Sequence, residues 1–437
     1  MNPFGRIQVA LLVVALSADL AGQSIANRDR SSTGLVFVRA KHIMGLRGSS
    51  IGPLYLGDQS LEVRAEDFSP EFARRNLLPL MRKGVWSGQC NGRAVDLYVG
   101  TSAAGSLLFQ GDPGEGFKAI ADTASLPALT SSVAAVCADY DRSHIESLFL
   151  FGAEGIRLYR EQGREMFVER ANAGLSTPKG VLFTDIVLAD LDEDGFLDVI
   201  AGAYTDLVHL PAKPSFTFPN DFSGAVSRVY RNNGNGTFTD ITRDSSLSMN
   251  PGRTRKVIVA DFNGDGRVDV LLLRDDKPPA LYLNRGGLNF DDSTWVAGDD
   301  LTSHAFFEGA AVDFNHDGNM DLALWSTHSF RILMNQGKAK FKRLTSTPMP
   351  EPELSLFGFR GGVADFDGNG FDDVITVDAK GIRRVFLNRD GAFHEVSLVM
   401  PAAYKNSFLM WIGPGAARKP ALLALLPNGN LDLLERP

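Results

Sequence analysis

The stretch Asp261-Phe262-Asn263-Gly264-Asp265-Gly266-Arg267-Val268-Asp269-Val270 returns three more times in the chain, starting at Asp190, Asp313 and Asp365. A motif that recurs at a fixed interval restricts the fold more than any single motif does. The copies set side-chain oxygens at positions 1, 3, 5 and 9. These are Asp190, Asp192, Asp194 and Asp198; Asp261, Asn263, Asp265 and Asp269; Asp313, Asn315, Asp317 and Asp321; and Asp365, Asp367, Asn369 and Asp373. Glycine stands at position 6 and an aliphatic residue at position 10. Hard oxygens converging from a short loop suit Ca²⁺, which takes roughly 6–8 oxygen ligands at ~2.3–2.6 Å, better than Mg²⁺, which dehydrates reluctantly. Glycine at position 6 allows a turn that a Cβ would obstruct.

Two other readings of the loops compete with this one. An EF-hand begins with the same letters but closes with a bidentate Glu at position 12 between two helices. Position 12 here is Ala201, Leu272, Leu324 or Thr376, and short β-rich runs follow each glycine, so the loops lead into strands. An Asp- and Asn-rich turn needs no metal. Yet three or four carboxylates in one tight loop repel one another, and turn formation does not demand them. Four copies favour about four Ca²⁺ sites of structural role, the ion cancelling the repulsion and stabilising the folded state by linkage.

A degenerate copy, Asp139-Tyr140-Asp141-Arg142-Ser143-His144, extends the series. Loop starts then fall at 139, 190, 261, 313 and 365, a period of about 52 residues broken by one insertion. The second half of each unit repeats as well. An apolar run, an Asn/Gly turn and a Phe-bearing run recur as Val229-Tyr230-Arg231-Asn232…Phe238, Leu281-Tyr282-Leu283-Asn284…Phe290, and so on to Val385…Phe393. Such runs joined by such turns are hairpins. Each unit is therefore read as about four antiparallel strands, and sheets of that kind repeated at this interval build a β-propeller.

Weak units near Ser87 and Gly413 keep the apolar runs and lose the early acids, which brings the count to seven blades. The last unit lacks an outer strand, while Gly34-Leu35-Val36-Phe37-Val38 resembles one, so an N-terminal strand is expected to close the final blade. Two stretches fall outside the repeat. Residues 47–86 contain a helix start at Ser69-Pro70, and an insertion spans about 203–225. The insertion is either a functional loop or a plain surface excursion.

The Asp-x-Asp/Asn-x-Asp/Asn-Gly-x-x-Asp loops resemble the FG-GAP repeats of integrin α-subunit propellers and bacterial VCBS repeats. Tyr230-Arg231-Asn232-Asn233-Gly234-Asn235-Gly236-Thr237-Phe238 is similar to the repeat of the cartilage-acidic-protein-like group. The resemblance covers roughly residues 87–425. It implies a seven-bladed propeller with Ca²⁺ loops on one face, used for adhesion or ligand binding. It also implies backbone carbonyl ligands at position 7, from Phe196, Arg267, Asn319 and Phe371.

Residues 1–26 read as a signal peptide: Arg6, an apolar run from Ile7 to Ala18, and the cleavage site Ser24-Ile25-Ala26. A twelve-residue run, with Gln8 and Ser17 inside it, is too short to span a bilayer, which needs ~20. The expectation is a secreted or periplasmic protein that is not inserted in a membrane. Cys90 and Cys137, the only cysteines, either form a disulfide, which export permits, or stay as buried thiols. A net charge of -8 argues against a nucleic-acid partner. The partner class expected is a protein or glycan. No nucleophile elbow, phosphate loop or paired-cysteine motif occurs. The alternative is a polysaccharide lyase or glycosidase with its site in the central funnel. A sugar-binding propeller would expose aromatics, the candidates being Trp295, Trp325, Trp411, Phe216 and Phe218.

Overall fold

The apolar run after each acidic loop pairs with the run before it and the run after it. In the computed structural model, the described residues are 132–162, 167–210, 212–326, 329–345, 361–377 and 383–404. Shorter runs are described at 35–36, 38–45, 61–69, 72, 85–88, 96–100, 106–112, 116–119, 408–412, 421–425 and 430–435. The expected signal peptide, the weak loops near 87 and 413, Cys90 and the stretch 47–60 lie wholly or mainly outside them.

Among the described residues the strands form seven four-stranded antiparallel sheets. Blade 3 shows the plan. Its innermost strand Val181–Ala189 runs into the acidic loop, Asp198–Asp206 returns beside it, and Arg228–Asn232 and Phe238–Asp240 complete the sheet. Blade 4 repeats this with Thr254–Ala260, Asp269–Arg274, Ala280–Asn284 and Phe290–Asp292. In blade 5 the loop joins Glu308–Val312 to Asp321–Trp325, and in blade 6 Gly361–Ala364 to Asp373–Val377. The second strands are buried at every described position in blades 4 and 5, which is why they read as unbroken apolar runs rather than alternating ones. In the last blade, Val38–Gly45 pairs antiparallel with Asn430–Glu435 as the outer strand, so the two ends of the chain complete one sheet. The expected closure is the observed one, and it gives the last blade the same four strands as the others.

The core lies between blades, not within them. Successive hydrophobic clusters join blade 2 to blade 3, then each blade to the next as far as blade 7. Val187, Ile200 and Val229 of blade 3, for example, pack with Val257, Val270 and Tyr282 of blade 4. Cys137 on the innermost strand of blade 2 is disulfide-bonded, and the chain offers one other cysteine, Cys90.

The insertion begins later than its sequence suggests, because Ala203–Asp206 still belong to the second strand of blade 3. Beyond it, Ser215–Phe218 pairs antiparallel with Leu61–Arg64, so the two stretches outside the repeat find each other. The alternation is strict: Phe216 and Phe218 are buried, and Ser215 and Thr217 are half-buried. Both rings join Phe222, Tyr204, Leu182 and Leu207 in a separate cluster with Phe68 and Phe72 at its edge. Phe72 is helical, and its N–H donates to Ser69 Oγ at 3.0 Å, the cap expected at that helix start. Arg253 ties the insertion to blade 4 by donating to the carbonyls of Pro219 and Phe222 and to Asp275 Oδ1. Tyr204 donates to the other oxygen of Asp275 at 2.8 Å. Since Asp198–Asp206 leads away from the acidic loop, the insertion sits at the opposite end of the blade.

Candidate metal centre

Each acidic loop joins the first and second strands of its blade, which places all four at the same end of their sheets. Positions 4 and 6 adopt the left-handed conformation in all four: Glu193 and Gly195, Gly264 and Gly266, His316 and Gly318, Gly368 and Gly370. Position 1 holds the loop closed through its carboxylate. Asp261 Oδ1 accepts from the N–H groups of Gly264 and Asp265, and its Oδ2 from Gly266 at 2.7 Å. Asp313 and Asp365 accept equivalent bonds, and Asp190 Oδ2 accepts from Gly195.

The candidate ligands gather to different degrees. Carboxylate oxygens of Asp190, Asp192 and Asp194 lie within 4.8 Å of one another, as do those of Asp365, Asp367 and Asp373. In the 261 and 313 loops the amides of Asn263 and Asn315 instead bridge to Asp265 and Asp317 Oδ2, at 3.1 and 3.0 Å. In the 365 loop Asn369 donates to the Asn388 carbonyl and accepts from Phe371 N–H. Phe196, Arg267, Asn319 and Phe371 follow the position-6 glycine, and their N–H groups donate to the position-5 side chain.

Position 9 differs from the rest of the ligand set. Asp198, Asp269, Asp321 and Asp373 are fully buried. In each, Oδ2 accepts from the position-2 N–H of its own loop, at 2.8–3.1 Å. Oδ1 accepts from the N–H of an asparagine at the end of the third strand, at 2.6–2.8 Å. Burial raises these carboxyls, to about 6 at Asp269, about 7 at Asp198 and Asp321 and about 8 at Asp373. The two N–H bonds oppose the rise, and the other loop acids add to it. Burial also raises Asp190 and brings Asp372, at position 8 of the 365 loop, to about 6.

The donor set fits a hard dication. Asp190 Oδ1 and Asp372 Oδ1 are buried without a hydrogen-bond partner, although buried carboxylate oxygens ordinarily find one. Arginines also bring positive charge to these loops. Arg231 pairs with Asp192 at 2.8 Å and Asp194 at 3.6 Å, Arg267 with Asp265 and Arg389 with Asp367.

The degenerate blade 2 loop has the same backbone course without the glycine. Arg142 and His144 take the left-handed conformation at positions 4 and 6, and Asp139 accepts from Ser143 and His144 as position 1 does elsewhere. Arg160 pairs with its Asp141 at 2.7 Å, and Ser147 replaces the position-9 acid. Of the aromatic candidates for a sugar platform, Trp325, Phe216 and Phe218 are buried, whereas Trp295 is 83% exposed on the rim after the outer strand of blade 4. The side chain of Trp411 lies outside the described residues.

Four-stranded sheets that each carry an acidic loop between their first two strands define a repeat propeller, and the FG-GAP-like repeat model matches residues 217–272, 261–324 and 313–376. The chain thus carries FG-GAP-like repeats within a β-propeller fold. It is related to cartilage acidic protein 1, at 25% identity over 266 residues to the Mus musculus protein (57% of this chain, 40% of that one). The Homo sapiens protein is 28% identical over 201 residues, which cover 41% of this chain and 29% of the relative. The chain thus spans well under half the length of these relatives. Among solved structures, the BP39L lectin from Burkholderia pseudomallei superposes with a TM-score of 0.54 at 12% identity, covering 82% of this chain and 96% of that one.

Proposed function

We propose that the protein is an exported, calcium-stabilised interaction propeller that binds a protein or glycan ligand away from its metal loops. The observation that carries the calcium part is the convergence of Asp190, Asp192 and Asp194 within 4.8 Å around an orphaned buried oxygen. Calcium bound there would neutralise carboxylates whose mutual repulsion the loop otherwise bears, and would tie the ends of two strands together. Asp190, Asp192, Asp194 and Asp198 would hold the ion in blade 3, and the matching positions would hold it in blades 4, 5 and 6.

The ligand-binding part rests on where the fold spends residues that the repeat does not need. The insertion and the Leu61–Arg64 strand build an extra aromatic-cored layer at the end opposite the metal loops. Trp295 presents a large apolar ring to solvent, a group suited to stacking on a sugar or a partner side chain. Among the described residues no helix is long and apolar enough to cross a membrane. A glycan and protein array probed in Ca²⁺ tests this reading. Binding that weakens at least tenfold in Trp295→Ala is the expected result, and an array that stays blank in Ca²⁺ contradicts it.

A further inference from the structure

Blades 3 to 6 share a second repeated residue that the acidic motif does not contain. Asn232, Asn284, Asn335 and Asn388 stand at the third-strand end of their blades and are at most 2% exposed. Each uses its polar groups in the same way. The backbone N–H donates to the position-9 carboxylate. Oδ1 accepts from the N–H of the turn glycine that follows. Nδ2 donates twice. One bond, at 3.0–3.2 Å, goes to the position-8 carbonyl of its own loop. The other, at 2.8 Å in all four, goes to the position-2 carbonyl of the loop in the preceding blade: Tyr140, Leu191, Phe262 or Phe314.

We propose that Asn284, Asn335 and Asn388 are positioning residues that couple successive calcium loops, so that filling one loop raises the affinity of its neighbour; Asn232 makes the same bonds to the blade 2 loop, which is assigned no ion. This rests on the calcium reading above. The position-2 peptide lies between two ligand residues, at positions 1 and 3, and the position-8 peptide precedes the ligand at position 9. One amide nitrogen therefore holds the backbone of two candidate sites at once. Ordering either loop around an ion fixes that nitrogen and, through it, the other loop, which then has less freedom to lose when it binds. Aromatic packing follows the same route. Phe262 and Phe314, at position 2, meet Phe341 and Phe393 of the next blade, at ring distances of 5.8 and 5.2 Å. The series runs unbroken from the blade 2 loop, where Arg160 already supplies a positive charge, to the blade 6 loop.

The test uses full-length chelated protein in which Asp192→Ala and Asp367→Ala silence the 190 and 365 loops, leaving the 261 and 313 loops joined by Asn335. Calorimetric titration with CaCl₂ should show two ions, the second bound at least about fivefold more tightly than the first, the low end of ordinary coupling. Adding Asn335→Ala should bring that ratio to about one while two ions still bind. Where Asn335→Ala does not fold, Asp265→Ala decides: it silences the 261 loop and leaves the bonds of Asn335 in place, and the 313 loop should then bind its ion about fivefold more weakly than in the two-site protein. A ratio of one in the two-site protein, or a ratio untouched by Asn335→Ala, overturns the coupling while leaving calcium binding intact. A two-site protein that takes up no calcium overturns the metal assignment as well, so the two failures are told apart.

Discussion

Phe262→Ala probes the packing between blades most cleanly, because the ring can be removed without touching the hydrogen bonds around it. The residue is buried, and its ring meets Phe341 of blade 5 edge-on at 5.8 Å inside the cluster shared by blades 4 and 5. Its N–H donates to Asp269 Oδ2, and its carbonyl accepts from Asn335 Nδ2 and Ala339 N–H. An alanine keeps all three bonds, so the loss is that of the ring, about 3–5 kcal/mol for a buried Phe→Ala. At ~2.1 cal/mol/K per residue, a cooperative unit of 437 residues then melts about 3–5 °C lower. Phe262→Leu should cost under about 1.5 kcal/mol, since a leucine already occupies the same position at Leu191. Trp295→Ala is the control: the ring is exposed, and the change should fall within about 0.5 kcal/mol of zero. Differential scanning calorimetry in Ca²⁺ reads all three. If Phe262→Ala melts with Trp295→Ala rather than below Phe262→Leu, the blades are not held by this interface.

Two further outcomes are expected. In chelated protein the position-9 carboxyls titrate at about 6 to 8 when folded, against ~3.9 for an unfolded Asp, so the folded state binds the proton more tightly. Stability should therefore fall as pH rises from about 5 to 8, and saturating Ca²⁺, which favours the ionised form, should abolish or reverse the trend; a chelated melting temperature that climbs over this range argues the other way. At the opposite end of the blades, Arg253→Met removes the anchor of the insertion from Asp275, Pro219 and Phe222. It should cost about 3 kcal/mol and open residues 207–225 to limited proteolysis, whereas an unchanged digest would show that the insertion is held by its aromatic cluster alone.

The features legible in the sequence are those whose signal is local. The acidic loops, the strand after each glycine and the hairpin turns all lie within a dozen residues, and the period then sets the number of sheets. Even the closing strand could be read, because Val38–Gly45 carries the outer-strand pattern that the last unit lacks. In the sequence the asparagines read only as turn formers, since a turn glycine follows each within two or three residues. Their second role depends on a carbonyl some 70 to 90 residues earlier, in another blade. The same distance hid the pairing of Ser215–Phe218 with Leu61–Arg64, where Pro211, Pro214 and Pro219 made the segment read as loop despite its alternating phenylalanines. The blade 2 loop shows the limit of motif reading from the other side. With His144 where glycine stands elsewhere, it has the same backbone course, held by the hydrogen bonds of Asp139. The sequence does carry a signal for the asparagines, their fixed place three residues after Val229, Leu281, Ile332 or Val385 in each third strand, but it becomes informative only once the blades are set side by side.

Calorimetric titration of the chelated wild-type protein with CaCl₂, followed by a melting scan of the loaded form, tests the central claim most directly. The account predicts uptake of about four ions per chain and a melting temperature that rises with free calcium. Uptake of no calcium, or a melting temperature indifferent to it, would show that the acidic turns hold the strands together unaided.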